Sequence, residues 1–327
     1  MDKGNTQIIR GVLALIILYC HIGYADVRLD NVFMSFSDLG YLAVGGFYFF
    51  MGYVLFSNYI DKGGFKKGFL LYRILRVWVP FYIANYLFYV FEIIDKAEDL
   101  IRYDSRRELL PYFFGFRLFN PTLWYPVSAM IFYIIAFVVL SLLKQCQMQN
   151  NRSALLIMSC IIMVIYAWTY SVIGLTYGEN EILPCSLLLG MVFAIYKDPI
   201  SIIIEKNQTM WVIFFLAFFF ICHRMNMVSD TEVWGISLYK YLAPPFFVCM
   251  ISTLIMGEKM QSEILGFLGE ISYEIYLLHY LVLCLFRSDI VYIGNEYLYL
   301  FAYTCITVFL AWAYHRVIQS GIWPHNT

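Results

Sequence analysis

Ten long apolar stretches occupy most of this chain, and they restrict its fold more than any other feature. They lie at residues 8–25, 39–57, 70–94, 122–143, 153–174, 182–196, 210–222, 236–256, 271–287 and 297–318. A helix needs roughly 20 apolar residues to cross a bilayer, and most of these stretches approach that length. Of the 327 residues, 61% are hydrophobic and only 14% are charged. A chain with so few charges cannot cover its surface with polar groups, so its outer surface must face lipid.

The lipid environment then decides the fold class. No water is present in a bilayer core, so backbone N–H and C=O groups must pair within helices or closed barrels. The apolar stretches are continuous and do not alternate every second residue, which favours helices. The sequence therefore predicts an all-α polytopic membrane protein with about ten transmembrane helices in one bundle. The sixth, seventh and ninth stretches are short, which leaves tilted, re-entrant or merged segments open at those positions.

The distribution of Lys and Arg predicts how the bundle is oriented. With the N-terminus inside, 13 of the 22 Lys and Arg residues fall on the cytoplasmic side, and both termini are then cytoplasmic. Segment 95–120 is the only sizeable polar interruption. Its mixed charges and amphipathic stretch predict an extracytoplasmic interfacial helix. Residues 1–327 are thus expected to form a single transmembrane domain.

The first span carries two ionisable side chains, Arg10 and His21. Such groups are costly inside a membrane and are therefore functional candidates. They are eleven residues apart, which is three helical turns plus about 20°, so both project from one face, separated along the axis by ~16 Å. The alternative is that Arg10 anchors the cytoplasmic end and His21 is a hydrogen-bonded interfacial histidine.

The third span opens with two arginines, Arg73 and Arg76, followed by Pro80. Side chains three residues apart share a face of an α-helix, and the proline loosens the helix about one turn later. Guanidinium groups bind phosphate bidentately, so Arg10, Arg73 and Arg76 predict a basic mouth for an anionic ligand. Topology anchors that reach the lipid headgroups would use the same residues.

The ninth span places Ser272, Tyr276 and His279 at positions i, i+4 and i+7, on one helical face. Glu274 projects nearly the opposite way, which argues against a Glu–His dyad within this helix. His279 lies near the middle of the membrane, where a histidine needs a partner or a cavity. A structural hydrogen bond between helices is the alternative to a catalytic role.

Taken in order along the chain, these motifs resemble the acyltransferase 3 family of integral-membrane acyltransferases. The matching residues are Arg10-Gly11 with His21, the Phe-rich stretch 47–53, Arg73 with Arg76 and Pro80, Leu123-Trp124, Leu189-Gly190, and Ser272 to His279. Met51 stands where that family usually has serine, and the glutamate that follows the tryptophan in some relatives is missing after Trp124. The resemblance covers most of the chain.

The resemblance implies transfer of an acyl group, usually acetyl from acetyl-CoA, to a hydroxyl of a cell-surface polysaccharide, its lipid-linked precursor or a related glycoside. Histidine is suited to removing the hydroxyl proton as a general base, or to carrying the acyl group as a nucleophile. Three groups of residues would carry this reaction. They are His21 and His279 as catalytic residues, Arg10, Arg73 and Arg76 as CoA ligands, and Ser272, Tyr276 and Trp124 as supporting residues.

The expected partners are acyl-CoA, a glycan or lipid-linked sugar acceptor and membrane lipid, with no nucleic acid. No metal is expected, because the eight cysteines are scattered without a CxxC pair or metal-like spacing to histidine. The expected location is the bacterial cytoplasmic (inner) membrane, and the oligomeric state stays open. A transporter or flippase for lipid-linked sugars is the alternative function, since it would also use intramembrane Arg and His. Against it, the chain lacks the paired repeat halves common in secondary transporters.

Overall fold

The computed structural model describes residues 3–22, 39–95, 111–112, 115, 117–173, 183–228, 238–257 and 262–322. Of the described residues, 85% are helical. Across the described ranges no strand forms, and the extended pairing present there is an isolated bridge between Arg287 and Tyr292. The prediction of an all-α polytopic membrane protein is confirmed.

The helices follow the apolar stretches of the sequence. They are α1 (Lys3–Cys20), α2 (Gly40–Asp61), α3 (Phe69–Asp95), α4 (Trp124–Gln145), α5 (Arg152–Ile173), α6 (Leu183–Ile195), α7 (Lys197–Lys206), α8 (Gln208–Val228), α9 (Leu238–Gly257), α10 (Glu263–Glu270), α11 (Ser272–Leu285) and α12 (Glu296–Ile322).

The number of helices that can cross a membrane is lower than the predicted ten. Five of the described helices, α2 to α5 and α12, are long and apolar enough, and the count is seven if each of two bent pairs is one span. These pairs are α6–α7, bent by 89°, and α10–α11, bent by 76°. They coincide with the short sixth and ninth stretches. Over their described residues α1, α8 and α9 are apolar but shorter.

The crossing of α1 and α10 depends on two glycines, because the backbones approach too closely for a side chain. A Cβ atom added to Gly11 in α1 would overlap the backbone of Leu265 in α10, and one added to Gly269 would overlap the backbone of Gln7. Small residues allow this kind of approach between membrane helices. The crossing fixes α1 against the bent α10–α11 pair, and α11 also packs on α3 and α12.

The third span is irregular where its arginines lie. Residues Ile74–Trp78 form a π-helical turn immediately before Pro80, which has no N–H to donate. Two tyrosine hydroxyls bind carbonyls in this region: Tyr273 of α11 donates to Val77 O at 2.7 Å, and Tyr314 of α12 donates to Pro80 O at 2.8 Å. The interrupted segment of α3 is thereby tied to both neighbouring helices.

Most of segment 95–120 lies outside the described residues, so its predicted interfacial helix stays a prediction. Its C-terminal end is held by α3. The Asn85 side-chain oxygen accepts from the backbone N–H of Phe119 at 3.1 Å and of Asn120 at 3.2 Å. Asn85 and Asn120 are both fully buried, so this contact anchors the chain just before α4 begins.

Candidate functional site

Arg10 and Ser272 join the first span to α11 at one end of the bundle. Arg10 Nη2 donates to Ser272 Oγ at 2.9 Å, and Ser272 Oγ donates to the Gly269 carbonyl at 3.0 Å. Ser272 is the first residue of α11, just after the bend that separates it from α10. Two residues predicted for different tasks, one as a CoA ligand and one as a supporting residue, are therefore in direct contact.

His21 and His279 meet further along the same two helices. Their ring centroids are 5.2 Å apart and their planes are inclined by 23°, so the imidazoles are stacked. The Tyr280 ring lies edge-on to His21 at 5.9 Å. His21 keeps part of its surface exposed, whereas His279 is fully buried. A histidine near the middle of a membrane was expected to need a partner or a cavity. The neighbour of His279 is His21, the other predicted catalytic histidine.

The hydrogen bond of His279 fixes which of its ring nitrogens carries a proton. His279 Nδ1 lies 2.8 Å from the Tyr276 carbonyl oxygen. A carbonyl can only accept, so Nδ1 carries the hydrogen, and Nε2 of the neutral ring holds the lone pair. Nε2 is buried and has no hydrogen-bond partner among the described residues. The buried ring is therefore held in a single tautomer beside His21.

The two contacts show that α1 and α11 run in parallel, side by side. Arg10 meets Ser272 near the start of α11, and His21 meets His279 further along it. As the helical spacing predicts, α1 directs both of its ionisable side chains towards one neighbouring helix. The guanidinium and the histidine pair thus lie at two levels of one helix–helix interface.

Tyr276 links α11 to the start of α4. Its hydroxyl donates to the Thr122 carbonyl and accepts from the Tyr125 N–H, the latter at 3.2 Å. Trp124 lies elsewhere, stacked on the Tyr48 ring with 6.4 Å between centroids. The structure therefore brings Tyr276, but not Trp124, into contact with the residues around the histidines.

The two arginines of α3 make different contacts. The Arg73 guanidinium lies over the Tyr133 ring of α4 at 4.5 Å and over Phe69 at 5.3 Å. Arg76 is exposed, and its Nη1 donates to the Tyr72 hydroxyl at 2.8 Å. Both guanidinium groups also lie 5.8 Å from the Tyr72 ring.

Tyr125 is a residue of this site that the sequence reasoning missed. Its ring lies edge-on to the Tyr276 ring at 5.7 Å between centroids, and its backbone N–H donates to the Tyr276 hydroxyl at 3.2 Å. Tyr125 therefore packs directly against α11, the helix that carries His279. A tyrosine in an apolar helix carries no signal of its own, because the sequence does not show which helices are neighbours.

A second pair of ionisable groups also escaped the sequence reasoning. His315 Nδ1 of α12 lies 2.8 Å from Glu274 Oε1, and Glu270 Oε1 lies 3.8 Å from His315 Nε2. Glu274 and His315 are both buried. Glu274 thus points away from His279, as predicted, and towards α12. The rule that singled out Arg10, an ionisable residue within a span, applies equally to His315.

Comparison with protein families identifies the chain. The family model Acyl_transf_3, described as an acyltransferase domain, matches residues 6–316. The protein belongs to the acyltransferase 3 family. Searches among curated proteins and among solved structures found no match.

The matched region extends over nearly the whole length of this membrane acyltransferase. It contains every predicted site residue, from Arg10 to His279, and also the Glu274–His315 pair. The resemblance drawn from the sequence motifs is confirmed. The acyltransferase therefore presents a stacked histidine pair and the Arg10–Ser272 contact at the interface between α1 and α11.

Proposed function

We propose that this acyltransferase moves an acetyl group from acetyl-CoA to a hydroxyl of a cell-surface polysaccharide, its lipid-linked precursor or a related glycoside. The bundle would lie in the bacterial cytoplasmic membrane with both termini in the cytoplasm. One observation carries the proposal: the partly exposed His21 ring stacks on the buried His279 ring in a chain of the acyltransferase 3 family. A paired histidine of this kind would serve as the base that takes the proton of the acyl acceptor's hydroxyl.

His21 is the histidine that a substrate can reach, since part of its surface is exposed. In the general-base route, a ring nitrogen of His21 takes the proton of the glycan hydroxyl as that oxygen attacks the thioester carbonyl carbon. The C–S bond then breaks, and the leaving sulfur receives the proton from His21. In the covalent route, a ring nitrogen of His21 attacks the thioester carbonyl carbon, the C–S bond breaks, and the CoA sulfur leaves with the proton of the imidazole ring. The glycan hydroxyl then attacks the acetyl carbon, the C–N bond breaks, and the hydroxyl proton passes to the His21 ring.

His279 supports this chemistry from behind the reacting ring. It is fully buried and would touch His21 rather than the substrate. Its hydrogen bond to the Tyr276 carbonyl fixes the ring in place. Two imidazolium rings at this separation would repel one another, so the pair is suited to carrying one positive charge at a time.

The arginines would hold the phosphates of the donor. Arg73 is placed by its contacts with aromatic rings, while Arg76 is exposed at the predicted cytoplasmic entrance. Arg10 lies deeper, held by Ser272. The eleven residues from Arg10 to His21 correspond to a rise of ~16 Å, about half of the ~30 Å hydrocarbon core. A pantetheine arm extended along α1 would bring the thioester towards His21.

Mass spectrometry of envelope glycans tests this function in cells with and without the protein. Acetyl groups should be present only when the active protein is made, and purified protein should release CoA thiol from acetyl-CoA when an acceptor is supplied. Glycan translocation without any acyl donor, together with unchanged glycan acetylation, would instead show a transporter. An acyl group other than acetyl would keep the enzyme class but correct the donor.

A further inference from the structure

The loop between α2 and α3 has an unusual composition: residues 62–68 read Lys-Gly-Gly-Phe-Lys-Lys-Gly. Gly63, Gly64 and Gly68 have φ angles of 63°, 132° and 80°, in the left-handed region that favours glycine. The glycines allow a tight turn whose positive φ angles residues with a Cβ atom rarely adopt. This turn displays Lys66 and Lys67, both exposed, at the end of the bundle that is predicted to be cytoplasmic.

A third lysine comes from the last turn of α4. A Cβ atom added to Gly64 would lie 2.5 Å from Lys144 Nζ, so the glycine leaves room for that ammonium group against the loop. Within the described part of the chain, Lys66, Lys67 and Lys144 form no ion pair. The nearby carboxylate of Asp61 is occupied by Lys197, at 2.5 Å. Among the described residues, these three ammonium groups at this end of α2, α3 and α4 therefore have no carboxylate partner.

Three aromatic rings from the same loop and from the adjoining helices α3 and α4 pack together. Phe65 stacks on Phe69 with 4.3 Å between centroids, and Phe137 of α4 lies 5.5 Å from Phe65 and 6.0 Å from Phe69. All three rings keep part of their surface exposed. Aromatic rings next to cationic groups suit a nucleotide, because the base stacks on the rings and the phosphates meet the charges. We name the six residues Phe65, Phe69, Phe137, Lys66, Lys67 and Lys144 the aromatic–lysine surface.

We propose that the aromatic–lysine surface binds the adenosine 3′-phosphate end of the CoA donor. This inference rests on the proposed function and specifies how its donor is recognised. The surface is continuous with the donor arginines, since Arg73 lies one turn after Phe69 and its guanidinium sits over that ring. The 3′-phosphate meets Lys66, Lys67 and Lys144, the adenine lies against the phenylalanines, and the diphosphate continues to Arg73 and Arg76.

Anionic lipid headgroups also carry phosphate and lie at the same depth. These lipids lack a purine and a 3′-phosphate. A donor with and without its 3′-phosphate therefore distinguishes binding of CoA from binding of lipid headgroups. Acetyl-CoA can be compared with acetyl-3′-dephospho-CoA, which differs by that one phosphate. The measurements use the full-length protein in nanodiscs of zwitterionic lipid only, so that no anionic headgroup is present.

The expected result is a KM for acetyl-CoA about tenfold or more below that for the dephospho donor, as for a charge-assisted phosphate contact. In the Lys66→Ala/Lys67→Ala double variant the two KM values converge. Phe65→Ala raises KM for both donors, because it removes stacking and not charge. Lys206→Ala, which removes another exposed lysine on the predicted cytoplasmic side, keeps the wild-type preference.

Three results would overturn the inference. The first is an equal KM for both donors in the wild-type protein. The second is a preference that persists in the double variant, and the third is an effect of the lysines seen only when anionic lipid is added. Each of these requires turnover and leaves the proposed function intact. Absence of turnover with any acyl-CoA would overturn the proposed function and this inference with it.

Discussion

The imidazole rings of His21 and His279 stack at 5.2 Å between centroids, although the two residues are separated by most of the chain. One ring is partly exposed and the other is fully buried. This asymmetry assigns them different tasks: His21 can meet a substrate, and His279 can hold His21 in position. The variants below separate these tasks.

His279→Ala is expected to lower both the amount of protein and its activity. The substitution leaves the Tyr276 carbonyl without its present donor and opens a space beside His21. His279→Asn is the matched variant, because its amide can still donate to that carbonyl. Membrane level measured by immunoblot should recover in His279→Asn while acetylation stays reduced. Full activity of His279→Asn would show that the second ring is structural only.

Arg73→Ala and Arg76→Ala are expected to raise the KM for acetyl-CoA. Each removes a charge-assisted contact of about 1.5–3 kcal/mol. Arg73→Ala should have the larger effect, since Arg76 is exposed and exposed charges are weakened by solvent screening. Donor KM and turnover of the purified variants provide the test. Values equal to wild type in both would identify these residues as topology anchors.

Removal of the Glu274–His315 contact is expected to reduce stability more than activity per molecule. Glu274→Ala leaves a buried histidine without this partner, and breaking a buried pair typically costs about 3–5 kcal/mol. Thermal unfolding in detergent should show a clear decrease in Tm. Glu205→Ala, at an exposed glutamate of α7, is the control and should unfold as wild type does. An unchanged Tm in Glu274→Ala would mean that the pair does not stabilise the bundle.

Membrane orientation is tested with reporter fusions. Reporters placed after residue 65 and after residue 150 should read cytoplasmic, because the Lys-rich loops are predicted inside. A reporter near residue 105, within segment 95–120, should read extracytoplasmic. A cytoplasmic signal near residue 105 would contradict the predicted orientation and the cytoplasmic position of the aromatic–lysine surface.

The positions of the helices could be predicted from the sequence, because an apolar run in a chain with so few charges has few other structures available. The common direction of Arg10 and His21 also followed from helix periodicity. The choice of neighbours could not be predicted. A membrane helix is apolar on nearly all sides, so the hydrophobic pattern does not mark the buried face, and close packing selects the partner. The contacts of Arg10 with Ser272 and of Glu274 with His315 depend on that choice.

The local irregularities of the helices could not be predicted from the sequence either. A single proline suggested that α3 is loosened, but the π-helical turn lies at Ile74–Trp78, before Pro80. The bend between α10 and α11 lies between Glu270 and Ser272, where the ninth apolar stretch begins. Such features depend on hydrogen bonds from other helices, such as that of Tyr273 to Val77, which a one-dimensional pattern does not contain.

The central claim, that His21 performs the acyl-transfer chemistry, is tested most directly by glycan acetylation in His21→Ala. Loss of a general base typically lowers the rate 10²–10⁴-fold, so acetylation measured by mass spectrometry should fall below detection. The membrane level of this variant should stay near normal, since His21 lies at the end of α1 and is partly exposed. Substantial acetylation by His21→Ala, with none from His279→Asn at equal protein level, would contradict the account and reverse the two roles.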